Sequence, residues 1–287
     1  MTLEIVDRLG LPGIFDIHTH FLPPGVMAKV RAQFDEAGPL IGRPWPIEYR
    51  DDDEALVETL RSFGVKHFTA LPYAHKPAMA EFLNDWAFGF AARTPGALRC
   101  STFFPEPGVT DYVEARLEAG VEVWKVHVQV GAIDVTDPLL DAAWGLIADA
   151  GTPVVLHAGS GPVATPYTGP GPVATLLERH PALCLVIAHA GAPEYAEFLA
   201  LAERYPRVHL DTTMVFTDFF ADVGAPFPEA LLPRLHDLGE KVLLGSDFPN
   251  IPYPYVTQTD GLEALGFGEE WLRGVLWHNA SRLLPRA

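Results

Sequence analysis

The most constraining feature of this 287-residue sequence is a repeated alternation between short apolar segments and longer amphipathic ones. Eight apolar, β-branched segments are separated by stretches with helical spacing, at roughly the period of one β-α unit. This alternation predicts strands over residues 13–20, 65–72, 98–104, 121–128, 152–157, 183–188, 207–211 and 241–246.

Eight successive β-α units predict an α/β fold of the (β/α)8 TIM-barrel type with extended β-α loops. A doubly wound sheet is the alternative, but it needs a glycine-rich phosphate turn after its first strand, where this chain has His18-Thr19-His20. The length suits one barrel domain over residues 1–287. Residues 21–50 are too long for a plain connector and predict an extended loop or cap.

Composition argues against several classes of function. The formal net charge is −17 with only 20 Lys and Arg, so we expect no binding to nucleic acid and none to an anionic membrane. Cys100 and Cys184 are too few for a disulfide framework and lie in apolar runs. Since no secretory or membrane-spanning pattern is present either, we expect a reduced, cytoplasmic protein.

Residues that can bind metal lie at the ends of several predicted strands. Alternation along the first strand puts His18 and His20 on one face. Two imidazoles leave a tetrahedral ion half-coordinated, so they need partners elsewhere. The carboxyl ends of barrel strands gather on one face, and three other strands end in His157, His189 and Asp247. Any one of these could merely cap a turn, but together they predict a metal site.

The motifs around these residues resemble those of the amidohydrolase superfamily. The resemblance is strongest to its amidohydrolase-related branch, which includes aminocarboxymuconate semialdehyde decarboxylase and similar mononuclear zinc enzymes. It spans nearly the whole chain in the family's order, through the segments DIHTH (16–20), WKVH (124–127), PVVLHAG (153–159), AHAG (188–191), GSDFP (245–249) and NASRLL (279–284).

The resemblance implies a role for each of the five residues. His18, His20 and His157 would bind one divalent metal ion, with Asp247 as the remaining ligand. Zinc suits this set best, although Mn²⁺, Fe²⁺ or Co²⁺ could occupy it. Asp247 would take the proton from the attacking water, and His189 would contact that metal-bound water or the substrate.

Three further residues are expected beside the metal. Lys125 lies on the fourth strand, where binuclear members of the superfamily carry a carboxylated lysine that bridges two ions. We favour a mononuclear site in which Lys125 contacts a ligand or the substrate. His127, on the same face, either borders the site or is a buried histidine bonded to a carbonyl. Asp16 lies deeper on the first strand, and we expect it to orient a ligand imidazole.

Aromatic, Pro-rich loops follow the first, fifth, seventh and eighth strands. They predict an apolar substrate pocket or, equally, a lid or an oligomer interface. Few cationic residues accompany them, which favours a neutral or monoanionic aromatic or cyclic substrate. The aromatic residues concerned include Phe21, Trp45, Tyr49, Tyr167, Phe216, Phe219, Phe220, Tyr253 and Tyr255.

The sequence therefore predicts an enzyme that acts on a small molecule. The leading hypothesis is metal-dependent hydrolysis of a C–N or C–O bond in an amide, lactone or ester. Non-hydrolytic decarboxylation of a small carboxylic acid is the alternative, because both reactions use a metal to polarise an oxygen-bearing group. A non-catalytic ligand-binding barrel is less favoured, since the ligand set is complete. The resemblance also implies a homodimer.

Overall fold

A computed structural model describes residues 2–284 of the chain, and residues 1 and 285–287 lie outside the description. Strands and helices alternate over most of this length. The strands β1 to β8 are Ile14–Asp16, Val65–Phe68, Cys100–Thr102, Val123–His127, Val154–His157, Leu185–Ile187, Val208–Asp211 and Val242–Leu243. The helices α1 to α15 are Thr2–Leu9, Pro24–Glu36, Gly38–Ile41, Asp53–Ser62, Ala80–Arg93, Val109–Glu118, Val128–Gly131, Asp141–Ala150, Pro170–Arg179, Tyr195–Arg204, Asp218–Asp222, Leu232–Asp237, Val256–Ala264, Glu269–Arg273 and Asn279–Leu283.

All strand pairs are parallel, and the strands follow one another around a barrel. β3 to β8 pair in chain order, and β1 pairs with β2. Backbone hydrogen bonds join the two sets: Leu98 N–H donates to Phe68 O (2.8 Å), and Ile17 N–H donates to Leu244 O (2.9 Å). The predicted (β/α)8 barrel is thus confirmed, with the β1–β2 pair filling the gap between β8 and β3.

Each strand lies within its predicted segment but is shorter, and all except β2 begin one or two residues later than predicted. Residues 17–20 lie outside the regular ladder, where Thr19 forms an isolated parallel bridge to Phe248 in the loop after β8. There Asp247 N–H donates to His18 O (2.8 Å), and His20 N–H donates to Phe248 O (2.7 Å). The departure from the ladder therefore brings the end of β1 against the residues after β8.

Helix α4 shows how local sequence sets the element boundaries. The Asp52 side chain accepts a hydrogen bond from Ala55 N–H (3.0 Å) at its start, as expected of an N-cap. Gly64, with φ +85°, ends the turn that follows. Residues 21–50, predicted as an extended loop or cap, contain α2 and α3. No helix among residues 2–284 is long and apolar enough to cross a bilayer.

Alternation along the strands divides the apolar residues between two layers. Phe15, Val123, Val155 and Val186 point into the barrel. Their neighbours along the strands, such as Leu156, pack outward against the helices. The barrel interior is therefore a packed core, and the space for a ligand lies beyond the carboxyl ends of the strands.

Candidate metal centre

Three predicted ligands come together where β1 and β8 end. His18 Nε2 and His20 Nε2 each lie 3.1 Å from Asp247 Oδ1. Among the described residues, these three form a compact group of potential ligand atoms, all within 4.8 Å of one another. Two imidazole nitrogens and a carboxylate oxygen suit a divalent transition metal or zinc. The side chains present therefore fit a metal ion.

The far nitrogen of each ligand histidine is held by a buried acceptor. His18 Nδ1–H donates to Asp211 Oδ2 (2.8 Å), and His20 Nδ1–H donates to Leu71 O (2.9 Å). Such contacts fix the tautomer and the ring orientation, so that the Nε2 atoms face the candidate metal site. Asp211 is completely buried and also accepts from the backbone N–H groups of His189 and Thr213.

Asp211 is a site residue that the sequence alone does not reveal. Its signal was the same as that of Asp247, an acidic residue at the carboxyl end of a predicted strand. Because such residues often only cap turns, Asp211 could be assigned only from its contact with His18.

His157 lies beside the group but outside its compact part. Its ring is 4.7 Å from that of His189, and its Nε2–H donates to Gly161 O (3.1 Å). Nδ1 of His157 is therefore the nitrogen left to bind an ion. The structure brings this predicted ligand to the same cavity as the other three.

Lys125 reaches the centre of the site. Its Nζ lies 3.0 Å from His18 Nε2, and the whole residue is inaccessible to solvent. Burial lowers the pKa of Lys125 to about 8, although Asp247 and Asp211 oppose the shift. Burial therefore makes this ammonium easier to deprotonate than that of an exposed lysine, and its Nζ contacts the ring of the candidate ligand His18.

His189 and His127 border the same space. His189 Nδ1–H donates to Thr213 O (3.1 Å), which leaves Nε2 as an acceptor 3.7 Å from Asp247 Oδ2. His127 stacks on His157 with ring centroids 4.0 Å apart, and its Nδ1 accepts from Val130 N–H. His127 thus lines the cavity beside His157.

Asp16 does not contact an imidazole, contrary to the expectation from the sequence. Its Oδ1 accepts from the backbone N–H of His18 (3.1 Å), and its Oδ2 accepts from Ser246 Oγ and Tyr255 OH. The side chain therefore ties the backbone after β1 to the segment after β8. Its neighbour Phe15 points into the barrel, so the Asp16 side chain faces Ser246 and Tyr255, and Asp211 contacts the His18 ring instead.

Charges within the site favour ionised carboxylates. Burial raises the pKa of Asp247, but His18 and His189 and the hydrogen bonds to it outweigh burial and hold that pKa well below its usual range. Burial and Lys125 lower the pKa of His18, but Asp247 and Asp211 overcome them and raise it. Because a ligating nitrogen must be unprotonated, metal binding would release the proton of His18.

Two site residues are among the six non-glycine residues with positive φ in the described part of the chain; the others are Ala78, Ala132, Ala190 and Met214. His189 and Asp247 have φ values of +54° and +66°, a region that non-glycine residues rarely adopt and that costs about 1–3 kcal/mol. Gly245 permits the close approach of β8 to β1, since a Cβ there would lie 2.8 Å from His18 Cβ and closer still to Thr213 Oγ1. Such strain is typical of functional sites.

The site opens into a cavity of about 600 Å³. One side is the polar cluster, which we define as His18, His20, Lys125, His157, His189 and Asp247. The other is the apolar wall, which we define as Phe34, Ile41, Trp45, Phe219 and Phe220. Trp45, Phe219 and Phe220 are among the aromatic residues predicted to form a pocket. Phe21 instead packs in the core, stacked on Phe90 at 4.8 Å.

A comparison with protein-family models decides the family. The model described as amidohydrolase matches residues 15–286, almost the full chain. The chain belongs to the amidohydrolase family. No curated protein matches it significantly in a sequence search. The resemblance seen in the sequence is thus confirmed.

Solved structures give the same fold at low identity. An uncharacterised TIM-barrel protein from Bordetella bronchiseptica is 19% identical with a TM-score of 0.73, over 94% of this chain and 98% of that one. A 5-carboxyvanillate decarboxylase from Novosphingobium aromaticivorans, with bound manganese, is 12% identical with a TM-score of 0.64, over 96% and 99%. A probable 2-pyrone-4,6-dicarboxylic acid hydrolase from Acinetobacter baumannii is 14% identical with a TM-score of 0.59, over 96% and 100%. This amidohydrolase thus shares its barrel with relatives of both reaction types.

Proposed function

We propose that this amidohydrolase is a metal-dependent hydrolase that cleaves a C–N or C–O bond in an amide, lactone or ester of a small cyclic or aromatic substrate. One divalent ion would be held by His18, His20 and Asp247, with His157 completing the set. Zinc is the first candidate, and Mn²⁺, Fe²⁺ or Co²⁺ are alternatives.

The observation that carries this proposal is the pairing of Asp247 with His189. Asp247 Oδ1 contacts both ligand histidines, while Oδ2 lies 3.7 Å from His189 Nε2, and both residues line the cavity. One carboxylate oxygen and one unprotonated imidazole nitrogen thus border the same space. Both can accept hydrogen bonds from a water, and Oδ2 can take its proton.

The pKa of Asp247 makes this step dependent on the ion. A carboxylate whose pKa lies well below its usual range is a weak base toward ordinary water. A divalent ion, when bound, lowers the pKa of water toward neutrality and polarises a carbonyl. Asp247 then carries the proton to the leaving nitrogen or oxygen, and the apolar wall excludes bulk solvent.

A second candidate, decarboxylation, is favoured by Lys125. This buried ammonium lies among the ligands and would attract a substrate carboxylate. In that reaction the bond from carbon to carboxylate breaks, carbon dioxide leaves and the carbon takes a proton. The similarity to a 5-carboxyvanillate decarboxylase gives the candidate support.

Substrate screening distinguishes the two reactions. The protein, loaded with zinc or manganese and with its metal content measured by elemental analysis, would be incubated with aryl esters, lactones, anilides and hydroxybenzoates. We expect about one equivalent of metal and, in ¹⁸O-labelled water, label in the acid product of an ester or lactone. Release of carbon dioxide, with no ¹⁸O in the product, would show that the reaction is decarboxylation and not hydrolysis. No turnover at full metal content across the panel would contradict both.

A further inference from the structure

We propose that Asn250 determines specificity by hydrogen-bonding a neutral hydroxyl or carbonyl group on the ring of an aromatic substrate. The inference rests on the proposed function in one respect, that the cavity above the polar cluster is the substrate site. Asn250 was not singled out in the sequence.

The side chain of Asn250 is buried without a complete set of partners. Only 3% of the residue is exposed, and its Oδ1 has no hydrogen-bond partner within the described part of the chain, residues 2–284. An unpaired buried amide oxygen is costly, and such groups are uncommon in folded proteins. Oδ1 itself is closed to solvent, so a ligand in the cavity, which Asn250 lines, would meet the other end of the amide, and a turn of the amide would present the oxygen there instead.

The backbone of Asn250 holds the loop in place without the side chain. Asn250 N–H donates to Asp247 O (3.0 Å), and Asn250 O accepts from Trp45 Nε1–H (2.6 Å). The loop is therefore anchored to a ligand residue on one side and to the apolar wall on the other. The amide is not needed for that anchoring, which leaves it free for recognition.

The surroundings of Asn250 indicate a planar, uncharged ligand. Trp45 lies with its ring centroid 4.7 Å from Phe34 and 4.7 Å from Phe219, so aromatic faces and edges dominate this side. Lys125 is the one Lys or Arg among the described residues that line the cavity. A second carboxylate on the substrate would find no guanidinium to receive it.

The chemistry of the Asn250 amide limits which substituent the substrate ring can carry beside it. Turning the Asn250 amide by 180° exchanges its donor and its acceptor. A hydroxyl group both donates and accepts, so it fits either orientation, and a carbonyl fits one of them. The substrate class is therefore an aromatic ring with its reacting group at the polar cluster and a neutral hydroxyl or carbonyl at Asn250.

Equilibrium binding of two matched probes tests this inference on the metal-loaded protein. p-Cresol and 4-fluorotoluene have nearly the same shape, but only the first has a hydroxyl group. We expect p-cresol to bind about three- to tenfold more tightly, the range expected of one neutral hydrogen bond. Ligand-detected NMR titration gives both dissociation constants without any turnover.

Asn250→Leu removes the amide at similar size and should bring the two dissociation constants close together. Asn250→Ala replaces it as the test variant if the leucine variant loses its metal or no longer unfolds cooperatively. Gln129→Leu is the matched control, because the amide of Gln129 lines the same cavity but already donates to Val163 O. It should keep the preference for p-cresol.

The outcomes separate this inference from the proposed function. No preference in the wild type, or a preference that persists in both Asn250 variants, would overturn the role of Asn250 even if the enzyme is active. A preference that Asn250 alone controls, in a protein that turns over no substrate, would retain the binding role and contradict the catalytic proposal.

Discussion

The polar cluster and the apolar wall form two sides of one cavity, but different parts of the structure hold them. The cluster comes from strand ends, and buried acceptors such as Asp211 fix its rings. The wall comes from α2, α3, Trp45 and α11, and aromatic contacts hold it. The difference indicates that the barrel fixes the chemistry, while the long loops select what reaches it.

The strongest test of this division is to remove the proposed base from the cluster. We expect Asp247→Asn to lower kcat by about 10²–10⁴-fold with a smaller loss of metal, because an amide cannot accept the proton from water. Steady-state kinetics on a substrate found by screening, with metal content measured in parallel, checks this. Asp260→Asn, at an exposed position on α13, is the control, and equal kcat values for the two variants would refute the role.

A second test weakens the support of a ligand without removing the ligand. Asp211→Asn should lower metal affinity by about 10–100-fold, since His18 loses the carboxylate that orients it. Asp16→Asn is the matched comparison, because that carboxylate accepts from the backbone N–H of His18, from Ser246 and from Tyr255 but does not contact the His18 ring. Competition with a chromophoric chelator measures both affinities. If the Asp16 variant loses more affinity than the Asp211 variant, the assignment of the orienting residue is wrong.

A smaller effect is expected at the apolar wall. Trp45→Phe removes the indole N–H that donates to Asn250 O and should lower the free energy of unfolding by about 1 kcal/mol. Metal affinity should stay at the wild-type value, because no ligand contact is lost. Urea unfolding and the same chelator assay measure the two quantities. A large loss of metal would show that the wall and the cluster are not independent.

The smallest effect concerns a histidine outside the cavity. Burial, with Lys241 and Arg207 nearby, lowers the pKa of His209 from 6.5 to about 4. Between pH 4 and pH 6.5 the unfolded chain binds more protons than the folded chain, because His209 is charged only when unfolded. The free energy of unfolding that depends on a neutral His209 is therefore complete above pH 6.5 and falls as the pH drops toward 4.

Urea unfolding of metal-depleted protein at several pH values, compared with His209→Gln, isolates that contribution. The wild type should lose more stability on acidification than the variant. Parallel curves for the two proteins would mean that His209 titrates normally.

The sequence predicted the barrel and the ligands because both depend on local patterns. Strand alternation and the residues at strand ends are visible without any tertiary contact, as at His18, His20 and Asp247. Asp211 also stands at a strand end, but only its contact with His18 Nδ1 in the folded chain distinguishes it from an acidic residue that caps a turn. α2 was missed because its first turn begins with Pro24, which was interpreted as part of a loop although proline suits the first turn of a helix. The ligand and catalytic roles of the individual residues, the zinc preference, the homodimer and the cytoplasmic location stay predictions.

The ligand contacts between β1 and β8 also bear on how the protein is made. His20 and Asp247 are 227 positions apart, yet they meet in one group of ligand atoms. On the ribosome, the two histidines emerge long before their carboxylate partner, so a nascent chain has no complete site until the eighth strand has been synthesised. Tight metal binding would thus mark the last stage of barrel assembly, when the final strand closes against the first.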